Sequence, residues 1–381
     1  MTATDMRAAA PTAEAVLAAP AIKGVTSTSR LTMIDIAKGV GILLIVFGHD
    51  GNIGIHFPEL QETLRGIRMP FFFFLAGVTF SMGKRSLGQL ALLRADAWLK
   101  PYVLTAIFFG LLNIYVHKIS TYESVSLGVL FGTGFTVSPT AIWFLPHLWL
   151  LYMTVAAVLQ HGKQLLEHPA ARLVLLTVLL TAGSFFLDYF DSRTDNPARW
   201  AAKELDDEFF SFGLPFSADL LPITLAFFLM GNFLSSQAKQ YRFNPVLAAI
   251  ALVVIVVLRV SFDHSMDLNY RRYDHIFLTT ALAIAGIYLF LAISSLLSRS
   301  GYIADTLIFI GRGSLFILLF HMPILQKLPL LLRKFVDLNL AWYVLIFLMS
   351  VVLPLVAWQV AKRFSVTRML LLPVLKLPKR P

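Results

Sequence analysis

The feature that most constrains this chain is a series of long apolar runs that recur along nearly its whole length. About ten of them approach 20 residues, the length that an α-helix needs to cross the hydrocarbon core of a bilayer. Of the 381 residues, 57% are hydrophobic and only 14% are charged, too few to cover a soluble domain. The sequence therefore predicts an all-α polytopic membrane protein with about ten transmembrane helices. The runs cover roughly 32–49, 67–83, 101–117, 141–160, 171–190, 217–235, 244–262, 275–297, 306–325 and 340–361.

The distribution of basic residues predicts the orientation of these helices. The formal net charge is +10, but Lys and Arg lie in short loops between the apolar runs, so we expect no nucleic-acid partner. If the N-terminus is cytoplasmic, the loops on that side carry more Lys and Arg than the loops on the opposite side. This bias is typical of cytoplasmic loops, and it predicts that both termini are cytoplasmic.

The remaining segments predict a simple domain organisation. Residues 1–29 are rich in Ala, Thr and Pro and are expected to form a disordered cytoplasmic tail. Residues 30–365 form the transmembrane domain, and 366–381 form a basic cytoplasmic tail. The segment 124–137 is apolar but short and glycine-rich, which favours a re-entrant or interfacial position over a span. The chain has no cysteine, and no spacing among its histidines predicts a metal site.

The first apolar run, "MIDIAKGVGILLIVFGHD", carries ionisable groups where they are expensive to bury. Lys38 and His49 are eleven residues apart, so they share one face of a helix about 16 Å apart along its axis. Asp35 lies one turn before Lys38, within ion-pair reach. One interpretation is an interfacial ion pair with a capping histidine. The other is a functional stripe with His49 as a proton acceptor, since histidine titrates near neutral pH.

Four stretches, in order, resemble one family. "IDIAKGVGILLIVFGH" is similar to the first-helix signature of the acyltransferase-3 family of membrane O-acyltransferases, with Asp35, Lys38 and His49 at its Asp, basic and His positions. "RMPFFFFLAG" (68–77), "WFLPHLWLLY" (143–152) and "GRGSLFILLFHMPI" (311–324) resemble its H-M-P-x-F-F-F-x-S-G, W-F-L and G-x-x-S-L-x-x-x-x-x-H segments. Arg68 and Ala76 stand where many relatives have His and Ser. The pattern is nearest to sugar O-acetylases of the fucose 4-O-acetylase type, which decorate exopolysaccharide or O-antigen.

The resemblance implies a donor and the residues that hold it. It implies a bacterial inner-membrane enzyme that takes acetyl from cytoplasmic acetyl-CoA, a substrate, and needs no cofactor. His49 would act as general base or briefly accept the acyl group, and Asp35 would hold Lys38 in place. The pantetheine arm is similar in length to the distance from Lys38 to His49, so a thioester bound near Lys38 would reach His49. The candidates for the CoA phosphates are Lys38, Arg94, Lys100 and Arg312.

The resemblance also implies a hydroxyl acceptor on a glycan or lipid-linked oligosaccharide, among membrane lipid and with glycan assembly machinery as a possible partner. Each acceptor-side candidate has a plainer alternative: snorkelling for the arginines, an interfacial aromatic for the tryptophan, a core histidine for the histidines and an ion pair for the aspartate. The candidates for the acceptor or the oxyanion are Arg65, Arg68, Trp143, His147, Asp219 and His321. The main rival function is a secondary transporter or flippase that uses the same charges as a proton relay. A second rival is an acyltransferase with another acyl group or acceptor, such as succinyl, a lipid or peptidoglycan.

Overall fold

The computed structural model describes residues 27–83, 85–191, 213–262, 264 and 266–376, and within these ranges the chain is almost entirely helical. One short antiparallel hairpin, β1 (Met266–Asp267) and β2 (Arg272–Tyr273), interrupts the helices. Residues 1–26, most of the predicted N-terminal tail, lie outside the described ranges. The helices are α1 Ser27–His49, α2 Gly51–Gly54, α3 Pro58–Thr79, α4 Leu87–Arg94, α5 Lys100–Leu112, α6 Tyr122–Phe131, α7 Phe144–His161, α8 Pro169–Phe190, α9 Leu221–Phe233, α10 Ser235–Lys239, α11 Pro245–Ser261, α12 Ile276–Leu297, α13 Gly301–Arg312, α14 Ser314–Leu332, α15 Leu340–Arg363 and α16 Ser365–Leu371.

Seven continuous helices in the described ranges are long and apolar enough to cross a membrane. The predicted spans 32–49, 67–83 and 244–262 are also helices, namely α1, α3 and α11. The all-α membrane architecture is thus confirmed, while the count of about ten spans and the cytoplasmic termini stay predictions. The seven are Leu87–His117, Thr140–His161, Pro169–Phe190, Pro215–Phe233, Ile276–Leu297, Ser314–Leu332 and Leu340–Arg363.

Three predicted spans differ from the structure in their bounds. The helix predicted at 67–83 is α3, which begins at Pro58 and ends at Thr79. The run 101–117 is only the second half of a helix that starts at Leu87, in which α4 and α5 are joined by a π-helical turn, Ala95–Leu99. The run 306–325 is broken at Gly313, which separates α13 from α14. Glycine is a poor helix former, and hydropathy alone did not reveal the break because both sides of it are apolar. The short segment 124–137 contains α6, whose ten residues extend only about 15 Å, followed by a loop.

The first helix lies at the centre of the bundle and positions the site. It packs against α3, α12, α13 and α14. A Cβ on Gly39 would overlap the carbonyl oxygen of Leu307, so glycine is needed there for α1 and α13 to approach. Gly39 lies beside Gly311, and ten residues further along each of the two chain segments His49 lies beside His321. The chain through α13 and α14 therefore runs parallel to α1.

The helix that carries the two arginine candidates is fixed by close backbone contact. A Cβ on Gly77 of α3 would overlap the carbonyl oxygen of Phe228 in α9, and one on Gly231 of α9 would overlap that of Phe74 in α3. These reciprocal glycines let the two helices pack backbone to backbone. The first half of α3, which holds Arg65 and Arg68, is consequently held beside the C-terminal end of α1.

Candidate active site

Two histidines from distant parts of the sequence meet at the C-terminal end of α1. The Nε2 atom of His321 lies 3.3 Å from Nδ1 of His49, and the ring centroids are 5.1 Å apart. The sequence analysis nominated each histidine separately and did not predict the pair. A signal was present, because His49 follows Gly39 and His321 follows Gly311 by the same ten residues.

The hydrogen bonds around this pair determine which ring nitrogens carry protons. His321 Nδ1 lies 2.7 Å from the carbonyl oxygen of Ile317, and His49 Nδ1 lies 2.9 Å from that of Ile45. Carbonyl oxygens only accept hydrogen bonds, so each Nδ1 must be the donor. The Nε2 lone pair of His321 then faces the Nδ1–H of His49. In the neutral pair, Nε2 of His49 is left unprotonated, with no hydrogen-bond partner among the described residues, as a general base requires.

His49 lines a small cavity of about 50 Å³. Its walls come from α1, α3, α14, the segment before α7 and the β1–β2 hairpin. One imidazole and two guanidinium groups line it, while most of the other lining side chains are apolar. Trp143, one of the acceptor candidates, lies in this wall, and its contact with an acceptor stays a prediction. The lining residues are Ile45, His49, Arg65, Arg68, Met69, Ala141, Trp143, Phe144, Asp267, Leu268, Asn269 and Leu318.

Arg68 is the candidate in this cavity with unused hydrogen-bonding capacity. Its side chain is 8% exposed, and its buried Nη1 has no hydrogen-bond partner among the described residues. A Cβ on Gly48 would overlap the guanidinium, so the glycine before His49 makes the room that Arg68 occupies. A buried guanidinium with one unused N–H donor group, beside a candidate base, is suited to a negative charge that develops during a reaction.

Arg65 has a different environment, although it lines the same cavity. Its Nη1 pairs with Glu62 at 2.9 Å, and its Nε lies 3.7 Å from a carboxylate oxygen of Asp267 in β1. Two carboxylates therefore compensate its charge. The contact with Asp267 joins α3 to the hairpin, so the geometry favours a positioning role for Arg65.

The hairpin is anchored by a buried ion pair. Arg271 is 1% exposed, and its Nε donates to Asp219 Oδ2 at 2.9 Å. The Nη1 of Arg271 donates to the backbone carbonyl of Asn269 at 2.8 Å. Of the two alternatives weighed for Asp219, the structure places it in an ion pair, and it does not line the cavity. The pair instead fixes the backbone of Asn269.

Asn269 is a lining residue that the sequence analysis missed. Its buried Oδ1 has no hydrogen-bond partner among the described residues. The signal for it is weak, because "MDLNYRRYD" reads as an ordinary polar loop between two apolar runs. Only the hairpin, with Leu268 buried beside it, turns this loop inward over His49.

His147 lies near this site but does not line the cavity. It is fully buried, with Nδ1 3.1 Å from the carbonyl oxygen of Phe216 and Nε2 3.0 Å from the hydroxyl of Thr224. Both ring nitrogens are thus occupied within the protein. This geometry matches the core-histidine alternative, in which His147 holds the turn that carries Asp219.

The candidates for the acyl donor lie away from His49, and most are engaged within the protein. Lys38 and Asp35 form the predicted ion pair at 3.2 Å, and both side chains are about one-third exposed. Lys100 binds Asp96 at 2.5 Å and the carbonyl oxygen of Leu372 at 2.8 Å. The guanidinium of Arg94 lies over the rings of Trp98 and Tyr152. Arg312, at the end of α13, is exposed.

The described part of the chain is a bundle of apolar helices with a candidate acid–base site at one end of its central helix. Such a fold defines an integral membrane protein with ionisable groups buried among its helices. A family model described as an acyltransferase domain matches residues 32–359. The chain therefore belongs to the acyltransferase-3 family and is a membrane acyltransferase. No match was found among curated proteins or solved structures.

Proposed function

We propose that this membrane acyltransferase transfers acetyl from cytoplasmic acetyl-CoA to a hydroxyl of a cell-surface or exported polysaccharide, or of its lipid-linked precursor. The enzyme would act in the bacterial inner membrane. The observation that carries the proposal is the arrangement at the end of α1. There His49, whose Nε2 is unprotonated in the neutral pair, lines a cavity together with Arg68, whose Nη1 has no hydrogen-bond partner among the described residues. Acyl transfer to an alcohol needs both a base and a group that stabilises an oxyanion.

The reaction follows from these two groups. His49 Nε2 takes the proton of the acceptor hydroxyl as its oxygen attacks the thioester carbonyl carbon. The carbonyl oxygen becomes an oxyanion, and Arg68 Nη1 donates a hydrogen bond to it. The tetrahedral intermediate then collapses, the carbon–sulfur bond breaks, and His49 returns its proton to the CoA sulfur. An ester and free CoA are the products.

The neighbouring histidine supports the base through each step. When His49 is protonated, its Nδ1–H still has two acceptors, the carbonyl oxygen of Ile45 and the Nε2 lone pair of His321. The imidazolium is thereby stabilised and kept in one orientation, as the third member of a catalytic triad does for its histidine. His321 is in this proposal a positioning residue.

The donor and acceptor would approach His49 from different directions. The partly exposed Asp35–Lys38 pair lies about 16 Å from His49 along the helix axis, near the span of a pantetheine arm. Lys38 is thus our leading contact for the CoA phosphates, and the exposed Arg312 is the second candidate. On the acceptor side, Trp143 and Asn269, which both line the cavity, would contact the sugar.

The test uses purified protein in detergent, radiolabelled acetyl-CoA, and lipid-linked glycan and surface polysaccharide from a host strain that lacks the gene. We expect labelled glycan with the wild-type protein and none above background with His49→Ala. His56→Ala is the matched control, because His56 is an exposed histidine just beyond the site. Normal transfer by His49→Ala would refute the base assignment. Uptake of a solute into proteoliposomes without acetyl consumption would favour the transporter alternative.

A further inference from the structure

A second and larger cavity lies between α5, α6 and the loop 132–138. Its volume is about 390 Å³, within the usual range of small-molecule sites. Every residue that lines it is uncharged. Its polar groups are hydroxyls and one carboxamide, from Asn113, Ser120, Ser124, Thr136 and Ser138.

The hydrogen bonds of these polar groups fall into two sets. Ser124 caps α6 together with Thr121, and the hydroxyl of Thr136 donates to the carbonyl oxygen of Gly128. These two residues hold the walls of the cavity. The side chains of Asn113, Ser120 and Ser138, in contrast, make no hydrogen bond to any described residue. They are available to a ligand that offers both donors and acceptors.

The second cavity is separated from the His49 cavity by the thickness of one loop. A Cβ on Gly134 would overlap Oδ1 of Asn269 and lie 3.1 Å from the ring of Trp143, and both of those residues line the His49 cavity. The next residue, Phe135, lines the second cavity. Its ring packs edge-to-face against Tyr270 at 5.4 Å, one residue beyond Asn269. A chain of linked rings could thus occupy both cavities around this loop.

We propose that the second cavity binds a neutral sugar unit of the acceptor that is not itself acetylated. This inference rests on the proposed function. A neutral sugar has several hydroxyl groups and no charge, matching a lining of hydroxyls and a carboxamide without any ionised side chain. Phe135 and Val125 offer apolar surface to the C–H groups of such a ring. An acidic sugar or a phosphate would find no cation in this lining.

Photo-crosslinking tests occupancy without requiring turnover. A photoreactive amino acid replaces Ile119, which lines the cavity and is 72% exposed, in the His49→Ala protein. The matched control replaces Val260, which is 82% exposed on α11. Lipid-linked glycan from the host strain lacking the gene is the probe. We expect sugar-containing adducts at 119 and not at 260. Phospholipid adducts alone at 119, or equal glycan labelling at both positions, would overturn the proposal.

Steady-state kinetics test the same site in the active enzyme. Asn113→Leu and Ser120→Ala each remove a hydrogen bond to the acceptor, so the acceptor KM should rise about three- to tenfold. The KM for acetyl-CoA should not change. Ser126→Ala, an exposed serine of α6 that does not line the cavity, is the control and should leave both constants unchanged.

The outcomes separate this inference from the proposed function. Unchanged acceptor KM values in both variants, with acetyl transfer intact, would overturn the second site and leave the acetyltransferase proposal standing. Acetyl transfer that survives His49→Ala would refute the proposed base, while the crosslinking result would still report whether a sugar occupies the second cavity.

Discussion

Arg68→Met should lower activity without lowering stability. Methionine keeps most of the buried stem and removes the guanidinium, whose Nη1 has no partner among the described residues. Loss of one oxyanion donor lowers kcat by about 10²- to 10³-fold, or about 2.7–4 kcal/mol of transition-state stabilisation. A buried polar group without a partner costs about 1–3 kcal/mol, so its removal should leave the folded state as stable or more stable.

Two measurements on the same purified variants check this expectation: the rate of acetyl transfer from labelled acetyl-CoA, and the apparent unfolding temperature in detergent. Arg65→Met is the control, since Arg65 is partly exposed and paired with carboxylates that bind it weakly. We expect a few-fold loss of rate in the control. If Arg68→Met transferred acetyl at the wild-type rate, or if its loss of rate came with a lower unfolding temperature, the assignment of Arg68 as the oxyanion donor would be refuted.

Gly48→Ala provides an independent way to disturb Arg68. The added methyl group would overlap the guanidinium and displace it, while the charge stays in the protein. Alanine is otherwise about 1 kcal/mol better than glycine in a helix. Activity should therefore fall although α1 becomes intrinsically more helical. Unchanged activity would mean that the position of Arg68 does not matter.

Three further outcomes follow from the structure. His49→Ala should slow transfer by about 10²- to 10⁴-fold, and His321→Ala should slow it less. Because the two rings act as one unit, the double variant should be no slower than His49→Ala. Additive losses of rate in the double variant would contradict this. Arg271→Met should destabilise the protein by about 3–5 kcal/mol, since it leaves Asp219 buried and unpaired, and adding Asp219→Leu should restore most of the unfolding temperature. Burial raises the pKa of Asp50, so ionising it as pH rises through that pKa lowers stability. Asp50→Asn keeps the cap of α2, so this variant should be at least as stable as the wild-type protein at pH 7. Asp50→Ala removes the cap and should lower the free energy of unfolding by about 1 kcal/mol. Thermal unfolding at several pH values measures both effects.

Local patterns were sufficient to predict the membrane helices and the stripe on α1. Hydrophobic runs near 20 residues indicate helices because backbone N–H and C=O groups in lipid must form hydrogen bonds with one another. Helical periodicity then places Asp35 next to Lys38. The same patterns missed the helix break at Gly313, because both sides of it are apolar and hydropathy does not change there. The number of spans also stays a prediction, because α1, α3 and α11 are helices whose passage through lipid depends on their neighbours.

The sequence by itself determined the kind of protein this is and the end of α1 where chemistry is expected. The four motifs pointed to the acyltransferase-3 family, and the position of His49 on a helix of known period pointed to the base. Only the tertiary structure decided which residues face His49. It brought in His321 from α14 and Asn269 from a polar hairpin, and it paired Asp219 with Arg271 away from the cavity. Those contacts join residues that are far apart in the chain. The local hydrophobic period of a helix does not show which distant residue will pack against it.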